Sequence, residues 1–408
     1  LAGRSPPARG GGGGTAGEAG NPGGGYPLSD RPSQLALVWR LGAATTLIVL
    51  AFAVTTPVLA VLLQQAGHGT AIIGAFSMIP FLMVGHLIPA MPRLLARWGT
   101  LRSYRAGTVL QLAGVASFAL FDHPGVWALG SVVSGIGAAA LWNTTEALLA
   151  EEAPPEHRGR VMGLYQTSMG AALALGPFAP ALLGLEARPL LWLAVLLVAG
   201  CLVLALTAPA HEPRTHAPMP AGTWHALRTV PWLAAIAFTG GVFEAGLGAV
   251  GAAHASATGM SLATAASVAG AIGVGSFLFQ YPAGWAADHF PPRRVFTAAG
   301  CALMLASLAM AFAARAPWLL WACGLVWGGV GGALYTLSMV QGARTFAGRA
   351  TAGGTAAMIT GYTWGGTLGP VASGSAVESA GTAGLAGLLA LVALLTLAAA
   401  RRIAPATP

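Results

Sequence analysis

Twelve long apolar stretches, separated by short polar connections, dominate the chain. Each holds at least eighteen mostly apolar residues, enough for an α-helix to cross the roughly 30 Å hydrocarbon layer of a bilayer. The pattern therefore predicts an all-α integral membrane protein with twelve transmembrane helices. The predicted spans are 41–63, 71–91, 104–121, 125–150, 161–185, 190–208, 231–253, 262–287, 295–313, 317–340, 352–377 and 383–400.

The connections between these stretches alternate in charge. Eighteen of the twenty arginines lie on every second connection or beside the outermost spans, and only Arg188 and Arg315 lie on the other side. Because flanking cations resist translocation, this asymmetry predicts that both termini are cytoplasmic, as an even number of spans requires. We therefore expect a multi-pass protein of a bacterial cytoplasmic (inner) membrane.

Composition agrees with a membrane protein. The chain is 55% hydrophobic and 8% charged, and its mean hydropathy is +0.70. Its 58 glycines allow helices to approach closely where lipid gives no hydrophobic drive for association. The net charge of +8 comes from arginines spread over short loops, which favours anionic lipid headgroups over nucleic acid as a partner.

The chain contains no lysine. A Walker A loop needs a lysine at the nucleotide phosphates, and a retinal or pyridoxal Schiff base needs a lysine amine. The sequence also has no hydrolase, metalloprotease or dinucleotide motif, and Cys201, Cys301 and Cys323 lie inside apolar stretches without metal-ligand spacing. We therefore predict no cofactor, no metal site and no enzymatic activity.

Two polar segments organise the chain. Residues 1–34 carry glycine runs and several prolines and are predicted to form a disordered tail. The proline-rich segment 209–229 is predicted to be a cytoplasmic linker between two six-helix bundles, at 35–208 and 230–402, with a short tail at 403–408.

The two bundles are related by a constant offset of 193 positions. Two halves with the same orientation imply a pseudo-two-fold axis along the membrane normal, a central cavity and alternating access. The duplication therefore predicts a transporter. The paired landmarks are Pro89 and Pro282, Gly135 and Gly328, Leu141-Trp142 and Leu334-Tyr335, and Gly176-Pro177 and Gly369-Pro370.

The loop between the eighth and ninth spans carries a family resemblance. From Gly284 to Arg294 it reads Gly-Trp-Ala-Ala-Asp-His-Phe-Pro-Pro-Arg-Arg, which resembles the GxxxD(R)xGRR loop of the major facilitator superfamily. Span count and duplication extend the resemblance over nearly the whole chain past residue 35. It implies that family's fold, a cavity lined by the first, fourth, seventh and tenth spans, and a loop contact that closes the cytoplasmic side.

The chemistry of this loop fits a gate. Gly284 leaves room for a helix contact, and Asp288 is expected to accept hydrogen bonds from a neighbouring helix N-terminus. Arg293 and Arg294 supply countercharge. The alternative is that these charges are merely solvated.

The first-half copy of the loop is degraded. Pro92 and Ala96 stand where the family has its glycine and aspartate, which leaves Arg97, Gly99 and Arg102 as the gating candidates. In the fourth span, Ser131 replaces the arginine of the family, which weakens the case for proton coupling at that position.

Two Gly-Pro pairs interrupt the fifth and eleventh spans. Gly176-Pro177 and Gly369-Pro370 resemble part of the glycine and proline segment of antiporters. Proline frees a backbone carbonyl and glycine permits close packing, so the pairs are predicted pivots. The alternative is that each pair only kinks its helix.

Two acids lie inside predicted spans. Glu244 is the fourteenth residue of a span that begins at Pro231, roughly 20 Å along the helix axis and thus near mid-depth. An ionised carboxylate there is costly unless it faces water, a partner or a substrate. Glu146, with Asn143 and Trp142 on the same helical face, is the second candidate, although it also fits a cytoplasmic charge network.

Aromatic and amide side chains are predicted to wall the substrate pocket. They offer flat apolar surfaces with a few polar groups, although aromatics near span ends more often form an interfacial belt. The predicted wall comprises Phe243, Gln166, Trp327, Tyr335, Tyr362 and Trp364.

These features together predict a monomeric secondary transporter that moves a small organic solute and is driven by protons. Efflux of amphipathic compounds is the preferred direction, and Glu244 is the preferred coupling site. Two alternatives stay open: proton-coupled uptake of a sugar or other metabolite, and a transporter-like sensor or assembly partner without flux.

Overall fold

Eight α-helices form the described part of the first half in the computed structural model. Residues 31–87, 90–152, 158–208, 223–346 and 351–403 are described, although the side chains of some residues within these ranges are not. A 3₁₀ turn at Gly176–Phe178 joins α6 to α7. The helices are α1 (Arg31–Gln65), α2 (Thr70–Leu87), α3 (Met91–Trp98), α4 (Thr100–Leu120), α5 (Pro124–Glu152), α6 (Arg158–Leu175), α7 (Ala179–Leu183) and α8 (Ala187–Leu206).

Seven α-helices form the described part of the second half. The last of these, α15, combines two arms, 351–379 and 382–400, because the backbone at Ala380 and Gly381 leaves helical geometry. The helices are α9 (Thr223–Thr229), α10 (Pro231–Glu244), α11 (Gly248–Ala257), α12 (Leu262–His289), α13 (Pro292–Met310), α14 (Leu319–Thr345) and α15 (Thr351–Ala400).

The predicted domain boundaries differ slightly from these helices. Helix α1 begins at Arg31, inside the predicted tail, because the first turn of a helix tolerates a proline such as Pro32. Helix α9 lies inside the predicted linker. The predicted tail up to residue 30, most of the linker (209–222) and residues 404–408 lie outside the described residues.

The described regular structure is helical, as predicted for an all-α membrane protein. Nine helices among the described residues are long and apolar enough to cross a membrane, and one of them, Ala357–Ala400, contains both arms of α15. Helix α4 and the α6–α7 pair coincide with the third and fifth predicted spans without meeting that criterion. Helical segments thus occupy all twelve predicted positions, and the count of twelve membrane crossings stays a prediction.

The internal repeat is visible in the packing of the Gly-Pro segments. A methyl group on Gly176 would overlap Ala53 of α1, and one on Gly369 would lie 3.5 Å from the Cα atom of Gly246. The two glycines and their two neighbours differ by the same 193 positions. Equivalent residues therefore lie next to each other in both halves, and the contact is tighter in the first half.

The two halves touch along three seams near one end of the bundle. We call the end that holds Arg40, Arg102 and Arg293 the arginine end and the other the far end. Gly74 and Gly374 let α2 and α15 approach until a methyl on either would overlap the opposing backbone, and Gly273 of α12 abuts α6 in the same way. Between α11 and α1, the Ser256 hydroxyl donates a hydrogen bond to the Gln64 side chain at 2.8 Å.

Toward the arginine end the halves separate. The α2–α15 seam reaches the rings of His86 and Trp364, whose centroids are 5.8 Å apart, and residues 351–361 of α15 extend beyond it. On α12, Tyr281 is 83% exposed, and a methyl on Gly284 would meet no atom within 4 Å. The described part of the bundle is therefore closed at the far end and open at the arginine end.

Polar bonds fix the helices of the first half to one another. In its interior the Thr45 hydroxyl pairs with the hydroxyls of Tyr104, at 2.9 Å, and Thr145, at 2.7 Å, which joins α1, α4 and α5. At the arginine end the Arg105 guanidinium donates to the carbonyl of Ala205 at 3.0 Å, in the last turn of α8. These hydrogen bonds give partners to buried hydroxyl groups and to a backbone carbonyl at the C-terminus of α8.

Candidate functional site

The centre of the second half is built around Glu244, the last residue of α10. The chain leaves helical geometry after it and α11 begins at Gly248. Glycines draw the neighbouring helices close to this break: a methyl on Gly241 would overlap the Tyr362 carbonyl of α15, and one on Gly240 would lie 2.7 Å from the Gly331 carbonyl of α14. The carboxyl group therefore sits where α10, α14 and α15 converge.

Two hydroxyl groups bind the Glu244 carboxylate. The Tyr362 hydroxyl of α15 donates to Oε2 at 3.0 Å, and the Ser276 hydroxyl of α12 donates to Oε1. Gly332 of α14 makes room for this pair, because a methyl there would lie 2.7 Å from Oε1 and 2.8 Å from the Ser276 oxygen. Three helices besides α10 thus shape the surroundings of one carboxylate.

Within the described part of the chain, Glu244 forms no ion pair with a basic side chain. Its hydrogen bonds come from neutral hydroxyls, the chain has no lysine, and its arginines cluster at the ends of the predicted spans. Ser276 is buried at 5% exposure, whereas Glu244 and Tyr362 are partly exposed. The carboxylate is therefore anchored by two neutral hydroxyls within a partly exposed residue, an arrangement suited to exchanging a proton or holding a cation.

Further polar and aromatic groups lie on the helices that surround this carboxylate. The rings of Tyr335 and Tyr362 are 4.4 Å apart at an interplanar angle of 40°, so both predicted tyrosines join the site. The Thr336 hydroxyl donates to the Gln280 side-chain oxygen at 2.9 Å. Sequence reasoning missed Ser276, Gln280 and Thr336. The one signal in the sequence was that Ser276 and Gln280 are four residues apart, and so share one face of an apolar helix.

Phe243 and Trp327 lie in the hydrophobic core instead of the predicted pocket wall. Phe243 is fully buried and Trp327 is 4% exposed, and their ring centroids are 6.3 Å apart. Adjacent residues on a helix point about 100° apart, so Phe243 faces the core because Glu244 faces the site. These two aromatic side chains pack in the core that adjoins the site.

The remaining predicted wall residues lie elsewhere. Trp364 is 40% exposed and reaches His86 across the α2–α15 seam. Trp142 is 38% exposed on α5, at the repeat position of Tyr335. The side chains of Asn143, Glu146 and Gln166 lie outside the part of the structure that is described.

The loop after α12 is open at the arginine end. Asp288 pairs with Arg344 of α14, whose guanidinium lies 3.4 Å from Oδ1, and both side chains are exposed. Arg293 and Arg294 are exposed as well. The described partner of Asp288 is Arg344, which sequence reasoning missed. The turns that lead into α6 and α15 lie outside the described residues, and a methyl on Gly284 would meet no described atom within 4 Å.

The degraded copy in the first half forms a tight turn. Gly99 has a φ of +88°, which favours glycine, and connects α3 to α4. Arg97 and Arg102, on either side of it, are exposed. The structure thus gives Gly99 a conformational role and leaves both arginines at the surface.

The Gly-Pro pairs differ in local geometry. Gly176 and Pro177 occupy the 3₁₀ turn that separates α6 from α7, whereas Pro370 lies inside the first arm of α15, one residue after Gly369. All four residues are buried. Both segments are close-packed, and the predicted pivot motion stays a prediction.

Comparison with known proteins shows which family and which relatives this chain is similar to. The sequence model described as Major Facilitator Superfamily matches residues 41–273 and 245–408. The chain is similar to an uncharacterized MFS-type transporter, YcaD of Escherichia coli (strain 536 / UPEC), with 25% identity over 338 residues, 82% of this chain and 87% of the relative. It is also similar to the uncharacterized MFS-type transporter YfkF of Bacillus subtilis (strain 168), with 25% identity over 253 residues. That match covers 59% of this chain and 63% of the relative, less than two thirds of its length.

Solved structures share the fold. The nucleoside transporter NupG superposes with a TM-score of 0.70 at 14% identity, over 90% of this chain and 97% of that chain. The D-xylose-proton symporter gives 0.70 at 12% identity, over 89% and 96%. A bacterial homolog of the human lysosomal transporter Spinster, in an inward-facing and unoccupied conformation, gives 0.69 at 16% identity, over 91% and 96%.

Proposed function

Because the chain belongs to the major facilitator superfamily, whose members are membrane transporters and not enzymes, we propose that it exchanges protons for a small organic solute across the bacterial cytoplasmic membrane. In this proposal the protein acts as a monomer by alternating access, with export of amphipathic compounds as the preferred direction. The observation that carries it is the Glu244 carboxylate, which is held by Ser276 and Tyr362 and has no basic partner among the described residues.

Protonation of Glu244 would change the energetics of the whole site. An ionised carboxylate inside a membrane protein costs several kcal/mol when it is closed off from water, whereas the neutral acid does not carry that cost. The ionised form therefore favours conformations in which the site is open to water or holds a cation. The neutral form permits closure, and this difference links proton binding to the movement of the halves.

The break after Glu244 supplies the mechanical link. Helix α10 packs within the second half, through Gly240 and Gly241. Helix α11 also contacts the first half: Ser256 bonds to Gln64, and Ala249 and Ala253 share a hydrophobic cluster with Val58 of α1. A shift between the halves therefore bends the chain at 244–248, next to the carboxylate.

The proposed orientation follows from the arginines. With the arginine end in the cytoplasm, this structure is open to the cytoplasm and closed to the exterior, which is the state that collects a solute for export. The Gly-Pro segments of α15 and of the α6–α7 connection resemble those of antiporters, which supports the direction.

Transport in everted membrane vesicles tests the proposal. Vesicles carrying the protein and a pH-sensitive dye are energised and challenged with a panel of organic solutes. We expect solute-dependent proton movement, lost in Glu244→Gln and kept in the matched control Glu186→Gln, whose exposed carboxylate lies at the far end before α8.

Each outcome has a defined meaning. Proton efflux from the vesicles upon solute addition supports exchange and export, and the opposite sign supports proton-coupled uptake. Absence of solute-dependent proton movement for the whole panel favours a sensor or assembly role. Full coupled flux in Glu244→Gln overturns the assignment of that carboxylate.

A further inference from the structure

We propose that the seam between α13 and the second arm of α15 binds, at its arginine end, an anionic phospholipid with two phosphate groups. Four arginines carry the inference: Arg293 and Arg294 at the start of α13, and Arg401 and Arg402 directly after α15. All four are exposed. The inference goes beyond the proposed function, because it concerns a lipid that stays bound at the surface and not a solute that crosses the membrane.

Helix packing brings the two pairs of arginines together. A methyl on Gly300 of α13 would lie 2.7 Å from Cδ2 of Leu397 in α15, so these two residues face each other across the seam. Arg293 precedes Gly300 by seven residues, nearly two helical turns. Arg401 follows Leu397 by four residues, just over one turn. Both arginines therefore lie on the faces that border the seam, at heights that differ by about 5 Å along the helix axes.

No acid balances these charges within the described part of the chain. There, none of the four guanidinium groups forms an ion pair or a hydrogen bond. From Pro231 onward the sequence holds three acids, which are Glu244, Asp288 and Glu378. Glu244 lies in the candidate site, Glu378 lies at the far end, and Asp288 pairs with Arg344. Because guanidinium groups match phosphate oxygens in charge and in bidentate geometry, phosphate is the anion that fits them.

The helices that form the seam favour a lipid over a soluble phosphate. Both are long and apolar enough to cross a membrane. Both also expose large apolar side chains: Leu305 of α13 is 69% exposed, and Leu391 of α15 is 65% exposed. Exposed leucines on such helices contact acyl chains, and arginines at the helix ends reach the headgroups. Basic pockets between transmembrane helices suit the paired phosphates of cardiolipin, which supply one phosphate for each pair of arginines.

The sequence does not repeat this site in the first half. The residues equivalent to the four arginines are Thr100, Leu101, Ala208 and Pro209. Arg105, on the seam between α4 and α8, already donates to α8 carbonyls. Arg97 and Arg102 are exposed at the arginine end of the same half. They therefore offer a matched control, in which an equal charge is removed from the same end of the protein.

The experiment measures lipid binding to the purified full-length protein in detergent by native mass spectrometry. The probes are cardiolipin, with two phosphates, phosphatidylglycerol, with one, and the zwitterion phosphatidylcholine. The deacylated headgroup of cardiolipin is added as a soluble competitor. We expect cardiolipin to bind at least about ten-fold more tightly than phosphatidylglycerol, because its two linked phosphates engage both pairs of arginines at once.

Two double variants test the position of the site. Arg293→Gln/Arg401→Gln is expected to weaken cardiolipin binding roughly ten- to thirty-fold, because one arginine is lost from each pair. Arg97→Gln/Arg102→Gln loses the same net charge and is expected to stay within about three-fold of the wild type, since exposed charges at a distance are screened. Thermal unfolding without added lipid shows whether each variant is folded.

Three outcomes overturn the inference. Equal weakening in the two double variants means that the arginines attract lipid only through their summed charge. Equal affinity for cardiolipin and phosphatidylglycerol removes the preference for two phosphates. A soluble headgroup that binds as tightly as the intact lipid identifies a site for a free phosphate compound. None of these measurements involves transport, so the inference can fail while the proposed function stands, and the reverse.

Discussion

The carboxylate of Glu378, in the second half, accepts a hydrogen bond from the backbone N–H of Ala71, in the first turn of α2 of the first half, at 2.9 Å. The absence of a side chain at Gly69 gives the carboxylate its space, since a methyl there would overlap it. Beside this contact the Thr70 hydroxyl donates to the Gly374 carbonyl at 2.8 Å. A negative charge at a helix N-terminus is stabilising, so this cap holds the far end closed.

Removing that charge is expected to loosen the far end. In Glu378→Gln the amide oxygen can still accept the Ala71 hydrogen bond, but the attraction of a full charge to the helix N-terminus, about 0.3–1 kcal/mol, is lost. We expect the closed-to-open ratio at the far end to fall roughly two- to five-fold. Spin labels at Gln65 and Ala380, both exposed at the far end, measure this ratio. The open population appears as a longer component in the distribution of distances between the two labels.

The control for this prediction is Glu186→Gln, which removes an exposed acid that precedes α8 at the same end. An unchanged distance distribution in Glu378→Gln, or an equal change in both variants, would contradict a gate held by the Glu378 cap.

Gly332→Ala tests the anchoring of the carboxylate. The added methyl would lie 2.7 Å from Glu244 Oε1 and 2.8 Å from the Ser276 oxygen, so the two groups must part. Because both atoms end flexible side chains, we expect little loss of stability and a loss of coupled proton movement of roughly ten- to hundred-fold, from a charged hydrogen bond of about 1.5–3 kcal/mol. Vesicle assays measure it, and Gly387→Ala, where a methyl meets nothing within 4 Å, is the control. Wild-type coupling in Gly332→Ala would refute this anchoring role.

Two glycines separate packing from gating. A methyl on Gly328 would overlap the Ile272 carbonyl of α12, a backbone atom that cannot move alone, so Gly328→Ala is expected to destabilise the protein by about 1–3 kcal/mol. A methyl on Gly284 meets nothing within 4 Å in this open state. We therefore expect Gly284→Ala to leave thermal unfolding in detergent unchanged and to slow transport, because the predicted contact forms only when the arginine end closes. Normal transport by Gly284→Ala would argue against that contact.

The cap on α8 gives a stability prediction. The Arg105 guanidinium donates to the carbonyls of Ala205, at 3.0 Å, and Leu206, at 3.4 Å, at the C-terminus of a helix, where positive charge is favourable. Arg105→Met keeps the apolar stem and removes both bonds, which should cost about 1–2 kcal/mol and lower the midpoint of thermal unfolding. Arg102→Met, at an exposed arginine on the same helix, serves as the control and is expected to unfold like the wild type. Equal unfolding midpoints in the two variants would refute the cap.

The approximate positions of the helices, and the choice of Glu244 as an acid of interest, could be predicted from the sequence. Helical segments lie within every long apolar run, and Glu244 attracts attention because a lone acid near the middle of such a run is energetically costly. The loop motif, the duplication and the lack of lysine are likewise visible in the sequence alone. These features depend on residue type and spacing, which the sequence states directly.

The direction in which each side chain points from its helix could not be predicted in the same way. Phe243 and Glu244 are neighbours, yet one lies in the core and the other in the site, and a span that is apolar on all sides has no polar face to orient it. The partners Arg344 for Asp288 and Ser276 for Glu244 are 56 and 32 residues away along the chain. Their pairing follows from tertiary packing of glycine-lined helices, for which the sequence has no local signal.

The repeat relates Gly176 to Gly369, but the two halves differ in the residues of the candidate site. At the positions equivalent to Glu244, Ser276 and Tyr362 the first half carries Ala51, Met83 and Met169. The residues that hold the Glu244 carboxylate are therefore not repeated in the first half, and the two halves are not interchangeable at this site. Under the proposed function, a chimera built from two second halves would carry a second acid at the position of Ala51 and so a second candidate proton site.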